Sequence, residues 1–336
     1  KPAPIHIPQF LVSIKTHFDD SLTASLPEPH ASLLRSILLG KNKDLSKDLT
    51  IAFRDSGLSH IIAVSGYNIT IVVAFVLVLL GLFPLSPLMR YMISLSIVLC
   101  FVVMVGAESS VVSAGIMAAL LGLSRVVGRM SKPFNILIIV AGVMLVISPR
   151  LLVFDLGFEL TFLAMAGLLF LAPMIEQGLA GRIPRVWGLR SLIATSLGAL
   201  IATTPLILHI FGRFSFVALI TNILVVPVVP LVMLAGLITG IVGIFVPPLG
   251  SILGALTWVL LQYTMSITEW FASLPFAAVN FPKMSLPLMI VIYTLLAFSV
   301  ILSAGRKSGR SRRIAFRQRR IRPGRKSTLR DSSLLS

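Results

Sequence analysis

Long apolar runs dominate the pattern of the chain. From residue 61 to residue 303 they follow one another with only short polar or Gly/Pro-rich interruptions, at roughly 61–83, 91–106, 110–124, 134–148, 151–174, 191–211, 215–246, 249–273 and 285–303. A helix needs about 20 apolar residues to cross a hydrocarbon core about 30 Å thick. The pattern therefore predicts an all-α protein, a polytopic transmembrane helical bundle of about nine spans. The run 110–124 is short for a full crossing. The run 215–246 is too long for one straight helix and contains Pro227 and Pro230, each of which removes an amide donor and crowds the preceding turn. That break predicts either a packing kink or backbone lining a wet cavity, the two settings in which freed carbonyls are tolerated at membrane depth.

The flanks differ in character. Residues 1–58 hold three prolines in the first eight positions and the polar stretch Lys41 to Asp48, and are expected to lie outside the bilayer. Within them Leu26-Pro27-Glu28-Pro29 marks a turn, and Leu33, Leu34, Ile37 and Leu38 fall on one face of a short helix expected to rest on the membrane surface or on the bundle. Residues 59–303 form the transmembrane domain, in which Gly236 with Gly240, and Gly250 with Gly254, show the spacing that lets helices approach closely. Residues 304–336 read as a basic, disordered tail.

Composition sharpens this picture. Of 336 residues 56% are hydrophobic and 12% charged, about half the charge fraction of a soluble domain. The formal net charge is +17, and Gly305 to Ser336 contains 12 Lys or Arg against Asp331 alone. A basic segment after a last span, here with Arg312, Arg313, Arg317, Arg319 and Arg320, is expected on the cytoplasmic side against anionic lipid, with nucleic-acid contact as the lesser reading. If the spans alternate, the loops with Arg125, Arg129 and Lys132 and with Arg182, Arg185 and Arg190 fall on that same side. Cys100 is the single cysteine, which rules out an internal disulfide; it is expected to be a small core residue. The chain begins with Lys1 and shows no signal peptide, so the natural N-terminus is expected upstream.

Ionisable groups inside spans cost about 2.5 to 3.5 kcal/mol each on insertion scales, so the few present need a reason. His60 precedes the first run, with Ser65, Gly66, Tyr67, Asn68 and Thr70 behind it. Asp155 and Glu159 are spaced to share one side of a helix, unless Asp155 sits at the interface near Arg150 and caps the helix instead. His209, Arg213, Ser215 and Asn222 bound two runs. Arg213 can face a phosphate, pair with an acid or snorkel to headgroups, and spacing favours snorkelling. The histidines show no metal-ligand spacing, and neither His-Glu-x-x-His nor Gly-x-Ser-x-Gly is present. Neither a metal nor another cofactor is expected. A Ser65, His60 and Asp155 triad is a remote possibility. Without a phosphate loop, driven transport would draw on a partner or a gradient.

The stretch Phe53-Arg54-Asp55-Ser56-Gly57-Leu58-Ser59-His60-Ile61-Ile62-Ala63-Val64-Ser65-Gly66-Tyr67-Asn68-Ile69-Thr70 resembles the competence region of the ComEC family, bacterial channels that admit transforming single-stranded DNA. Leu26-Pro27-Glu28-Pro29-His30-Ala31-Ser32-Leu33-Leu34 resembles its lead-in. Further resemblance lies in Gly106-Ala107-Glu108-Ser109-Ser110-Val111-Val112 with Ile116-Met117, in Asp155 to Ala164, and in Phe211-Gly212-Arg213-Phe214-Ser215 followed by Asn222 and Pro227. The likeness covers roughly residues 20 to 300 in the family's order. It implies a multi-pass protein of the bacterial cytoplasmic membrane that works with a separate DNA-binding protein and a motor ATPase, as a homo-oligomer or alone.

On that likeness His60, Ser65, Gly66, Asn68, Arg213 and Asn222 are candidates to line the DNA path, while Asp155 and Glu159 brace the bundle. Departures from many relatives stand at Ser113 (arginine there), Asn68 (histidine) and Glu159-Leu160-Thr161 (Gln-Leu-Ser). Longer relatives carry an oligonucleotide-binding-like domain and often a metallo-β-lactamase-like nuclease domain. No His-x-His-x-Asp-His cluster follows residue 303, so no nuclease activity is expected of this chain. A channel for a small solute or ion is the alternative reading, and an intramembrane hydrolase a weaker one.

Overall fold

The computed structural model describes residues 9–129, 132–183 and 188–321, from 304 onward as backbone only. The described chain is helical apart from one two-stranded ladder. It divides into residues 1–285 and a unit that starts at Leu286.

Four helices precede the long apolar ones: α1 (Gln9–Ser25), α2 (His30–Leu39), α3 (Lys47–Asp55) and the single turn α4 (Ser59–Ile62). Then follow α5 (Gly66–Gly81), α6 (Pro87–Val105), α7 (Ser109–Val126), α8 (Pro133–Ile147) and the short α9 (Leu151–Phe154). The helices α10 (Leu156–Ala166) and α11 (Ala172–Gly178) continue one into the other through a wider turn at Gly167–Leu171. They are followed by α12 (Leu189–Phe211), β1 (Arg213–Ser215), α13 (Ala218–Val225), α14 (Val229–Phe245), α15 (Pro247–Ala272), β2 (Ala278–Asn280) and α16 (Leu286–Ile321).

Local chemistry sets many of these boundaries. Ser86 accepts from Met89 N at 3.2 Å and Pro87 opens α6 at a position that needs no amide donor. Gly106, with φ of 108°, ends that helix in the left-handed region.

Six described helices are long and apolar enough to cross a membrane: α6, α7, the continuous Leu156–Gly178, α12, α15 and the Leu286–Ser303 part of α16. A seventh arises if α13 and α14, bent by 45°, count as one broken span. The expected count of about nine is thus not confirmed. Two of the predicted spans are shorter helices, α5 and α8, because extended backbone at Ala63 and Ser65 interrupts the first apolar run and Pro133 and Ser148 bound the other. The run expected to be short forms the 18-residue α7. Cys100, expected in the core, is exposed on α6, whose outward face carries Ile97 and Leu99 as well. Helical backbone is described through Ile321. The remainder of the basic segment, from 322, lies outside the described residues.

Of the two settings expected for α2, the membrane surface or the bundle, the helix takes the second and is enclosed there. Every residue of α2 except Arg35 is buried, and Leu33, Leu34, Ile37 and Leu38 form a core with Phe18 and Leu22 of α1 and with Val232, Met233, Leu261 and Met265 of α14 and α15. Glycines make the room. The volume a side chain would need at Gly236 is filled by Leu34 and Leu38, at Gly240 by the Phe18 ring, and at Gly243, Gly250 and Gly254 by Ser21, Ser25 or their neighbours. Ser21 Oγ also donates to Gly240 O at 2.9 Å.

An ion-pair network locks the α1–α2 hairpin. Arg35 Nε lies 2.6 Å and Lys41 Nζ 2.7 Å from the two oxygens of Asp19, and Arg35 Nη2 2.8 Å from Asp44. With Asp19 and Arg35 side chains only 11% and 15% exposed, neither charge is stable there without the other.

A direct test of this packing is Gly254→Ala. The new methyl meets the Ser25 backbone, which cannot swing aside, so a loss of about 1 to 3 kcal/mol is expected. Gly142→Ala, in open space, should leave thermal unfolding in detergent unchanged. Equal midpoints for the two variants would mean that α1 does not dock on α15.

Candidate functional site

The predicted polar residues gather where helices stop. After α3 ends at Asp55, Gly57 turns the chain with φ of 78°, and extended backbone from Ala63 to Ser65 separates α4 from α5. Ser65 Oγ donates to Asn68 Oδ1 at 3.3 Å, and Asn68 Nδ2 donates to Ile37 O of α2 at 2.9 Å. Asn68 is 2% exposed, so this bond to α2 satisfies a group that would be costly to leave bare. Gly66 packs against Ala114 of α7.

Two serines tie this break to two others. Ser110 Oγ donates to Val64 O at 3.4 Å, and Ser109 Oγ donates to Asp155 Oδ1 at 2.5 Å. Both serines open α7 directly after the Gly106-Ala107-Glu108 turn, where Ala107 holds a φ of 51°. Asp155 also accepts from Phe158 N at 2.8 Å as the N-cap of α10. It therefore lies just outside the helix, with φ of −123°, and only Glu159 is within it. The expectation that both carboxylates share a helix face gives way to the capping alternative. Glycine at 157 lets Ser109 come close.

The third cluster is a joint of a different kind. Arg213 Nη2 lies 2.6 Å from Asp55 Oδ1, an ion pair rather than an aligned hydrogen bond, since neither Asp55 Oδ1 nor Arg213 Nε has a hydrogen-bond partner. Ser215 Oγ donates to Asp55 O and Thr221 Oγ1 to Ser56 O, both at 2.7 Å. Gly57 sits so tightly on Ala218 that no side chain fits between. Arg213 is thus held by an acid instead of snorkelling. β1 is anchored in turn by pairing with β2, Arg213 opposite Asn280, and His209 Nδ1 donates to Met284 O at 2.7 Å. Asn222, on α13 ahead of the bend, keeps a buried Oδ1 with no partner.

His60, Ser65 and Asn68 do meet in space. With Tyr67, Val226 and Val229 they line a cleft of about 220 Å³ including its open mouth, inside which about one water-sized sphere fits. A nucleotide strand does not fit there. Ser113, where many relatives carry arginine, is fully buried and donates to Ser110 O at 2.9 Å. The hydrogen bonds of Ser65 and Asp155 run to Asn68, Ser109 and the α10 backbone, which leaves the hydrolytic triad without support. No group of three His, Cys, Asp or Glu is gathered for a metal among the described residues. The side chains of Arg312, Arg313, Arg317, Arg319 and Arg320 are outside the described ones.

Reasoning from residue types missed Asp55, Ser56, Ser109, Ser110 and Thr221. Asp55 and Ser56 lie ahead of the first apolar run and carry no periodic signal. Only the resemblance from Phe53 to Thr70 covered them.

Long apolar helices, a bent span and polar breaks held by buried hydrogen bonds define a multi-pass helical membrane protein. The profile of the Competence protein family matches residues 37–306, and the chain belongs to that ComEC-type family. It is 22% identical over 229 residues to ComE operon protein 3 of Bacillus subtilis (strain 168), an alignment that takes in 67% of this chain and 28% of that protein. The chain therefore spans well under half of this relative. No solved structure matches.

The Asp55–Arg213 joint is measurable by a double-mutant cycle. Asp55→Ala and Arg213→Ala should each destabilise the protein in detergent, and the double variant should fall short of their sum by about 1 to 3 kcal/mol. Additive losses would mean that the two side chains do not act as a pair.

Proposed function

We propose that this chain is a membrane channel component that passes transforming single-stranded DNA across the bacterial cytoplasmic membrane during natural competence. The observation that carries the reading is the family match over residues 37–306, which takes in the helices from α3 to the apolar part of α16 and all three groups of polar breaks. In this reading the ends of the bundle have different roles. The loop after α7, with Arg129 and Lys132, and the loop before α12, with Arg182, lie at the helix ends opposite Ser65, Ser109 and Asp155. In this reading these basic loops lie on the cytoplasmic face, and the basic end of α16 contacts anionic lipid or receives the strand.

A strand with about one charge per nucleotide needs a wet path with polar or basic groups and flat faces for its bases. The cleft at His60 and Asn68 is too narrow for this, and Arg213 is neutralised by Asp55. In this reading neither place offers the strand a path in the conformation described. Opening requires either movement at the breaks or a path completed by other copies of the chain, with a separate DNA-binding protein delivering the strand and a motor ATPase drawing it in.

Uptake of labelled DNA in a naturally competent host tests this. Deletion of the gene should abolish label in the cytoplasm while DNA stays bound at the cell surface, and Arg213→Ala should lower uptake. Undiminished uptake in the deletion strain would refute the channel role.

A further inference from the structure

At equal depth in the bundle, neighbouring helices present opposite surfaces. Ser25 of α1 fits against Gly243, Gly250 and Gly254, Phe18 against Gly240, and Lys15 Nζ donates to Met104 O in the last turn of α6 at 2.7 Å. The ring of His30 lies 5.2 Å from that of Trp258, and its Nε2 donates to Gln262 Oε1 at 2.7 Å. Ser25 beside Gly254 and His30 beside Trp258 place the Pro27-Glu28-Pro29 turn next to the middle of the 26-residue α15. The α1–α2 hairpin therefore enters beside two spans, α14 and α15, and turns back partway along them.

At these levels α14 exposes Ile238, Ile241 and Ile244, and α15 exposes Ile252 and Leu256. The first turns of α1 expose Phe10, Val12 and Ile14 beside Ser13, and from there to its end the exposed positions are Thr16, His17, Asp20, Thr23 and Ala24. Hydroxyls alone would not decide the matter, since Thr16 donates to Val12 O and Thr23 to Asp19 O within the helix. His17 likewise donates to Ser13 O. Asp20 decides it: its side chain is exposed, and the hairpin's cations are engaged elsewhere, Arg35 and Lys41 by Asp19 and Asp44 and Lys15 by Met104 O. Glu28 at the turn is 56% exposed, lies 3.8 Å from Arg35 and accepts from Ser32 N at 3.1 Å. Exposed carboxylates at this depth need water, because hydrocarbon excludes them unless they are neutralised.

We propose that α1 and α2 form a re-entrant hairpin, and that the outward face of α1 borders a water-filled recess at the depth of the spans. The recess is lined by Thr16, Asp20, Thr23 and Glu28, while the opposite surface of α14 and α15 faces lipid. The inference needs the bundle to sit in a membrane but does not need it to carry DNA. Should it carry DNA, this mixed-charge wall is one side of the wet path that a strand requires.

Cysteine accessibility tests the recess. In a Cys100→Ala background, Thr16→Cys and Thr23→Cys are compared with Ile241→Cys and Leu256→Cys in native membranes, using a cationic, membrane-impermeant methanethiosulfonate. The α1 positions should react on the order of a hundredfold faster, reflecting the penalty for bringing a charged reagent into lipid. Labelling at Thr16 and Thr23 as slow as at Leu256 would overturn the proposal, and a disulfide between copies at Thr16→Cys would then identify a second chain as what covers that face. Fast labelling at all four positions would overturn it too, because α14 and α15 would not then face lipid. The readout is independent of DNA uptake, so a failed transport assay leaves it unaffected.

Discussion

The room that five glycines leave for neighbouring side chains and backbone is the constraint on which the bundle depends. Gly236, Gly240 and Gly243 on α14, with Gly250 and Gly254 on α15, leave a groove into which Leu34, Leu38, Phe18, Ser21 and Ser25 fit. In lipid, helices gain little from burying apolar surface, so contact area and hydrogen bonds must hold them together. The groove supplies both. Phe18 and the leucines of α2 fill it, and Ser21 reaches a carbonyl that another helix would leave covered. Once α2 is seated, Ile37 O becomes the acceptor for Asn68. The position of α5 thus depends on a groove made by α14 and α15, more than a hundred residues later in the chain.

A second layer of organisation follows from where the helices break. Polar backbone exposed at a helix end inside a bundle has to be satisfied, and here one break satisfies the next. Ser110 reaches the break before α5, Ser109 reaches the cap of α10, and Ser215 and Thr221 reach the end of α3. These contacts are short side chains bonded to backbone or cap, which fix geometry without bringing bulk. The breaks therefore behave as joints between rigid helices, and relative motion of helices would be concentrated at these points.

Much of this was legible in the sequence, though unevenly. Apolar runs identified a membrane bundle and placed most of its long helices, because span length leaves a strong signal in composition. The run over 61–83 misled at its start: Ala63-Val64-Ser65 is apolar enough to continue a span, yet its extended backbone is set by contacts with Ser110 and α2 that no local pattern encodes. The N-terminal hairpin misled more deeply. Lys41 and Asp44 fell in a stretch read only as polar, and Asp19 and Arg35 carried no signal of their own, whereas together they neutralise one another and allow α2 to be enclosed. Pairing is a property of the fold, and residue counts do not contain it. The same holds for Arg213, whose partner Asp55 stands 158 positions earlier in the numbering.

The pairing of Arg213 also bears on how a conduit of the proposed kind would work. A free arginine at a channel wall attracts phosphate continuously, and a strand that binds too well does not move on. Held 2.6 Å from Asp55, Arg213 offers little net charge, and its contact with phosphate requires that the α3 turn first separate from β1 and α13. That separation would also release the Ser215 and Thr221 bonds and expose Ser56, so the cost falls on several hydrogen bonds at once. An incoming polyanion competes with Asp55 for the same guanidinium, and its own charge would favour the open arrangement over the closed one. On the proposed function, then, the joint that keeps the resting bundle closed is also the element most directly biased by the arrival of DNA, because a ligand shifts a conformational equilibrium only through groups it binds better in one state than in the other.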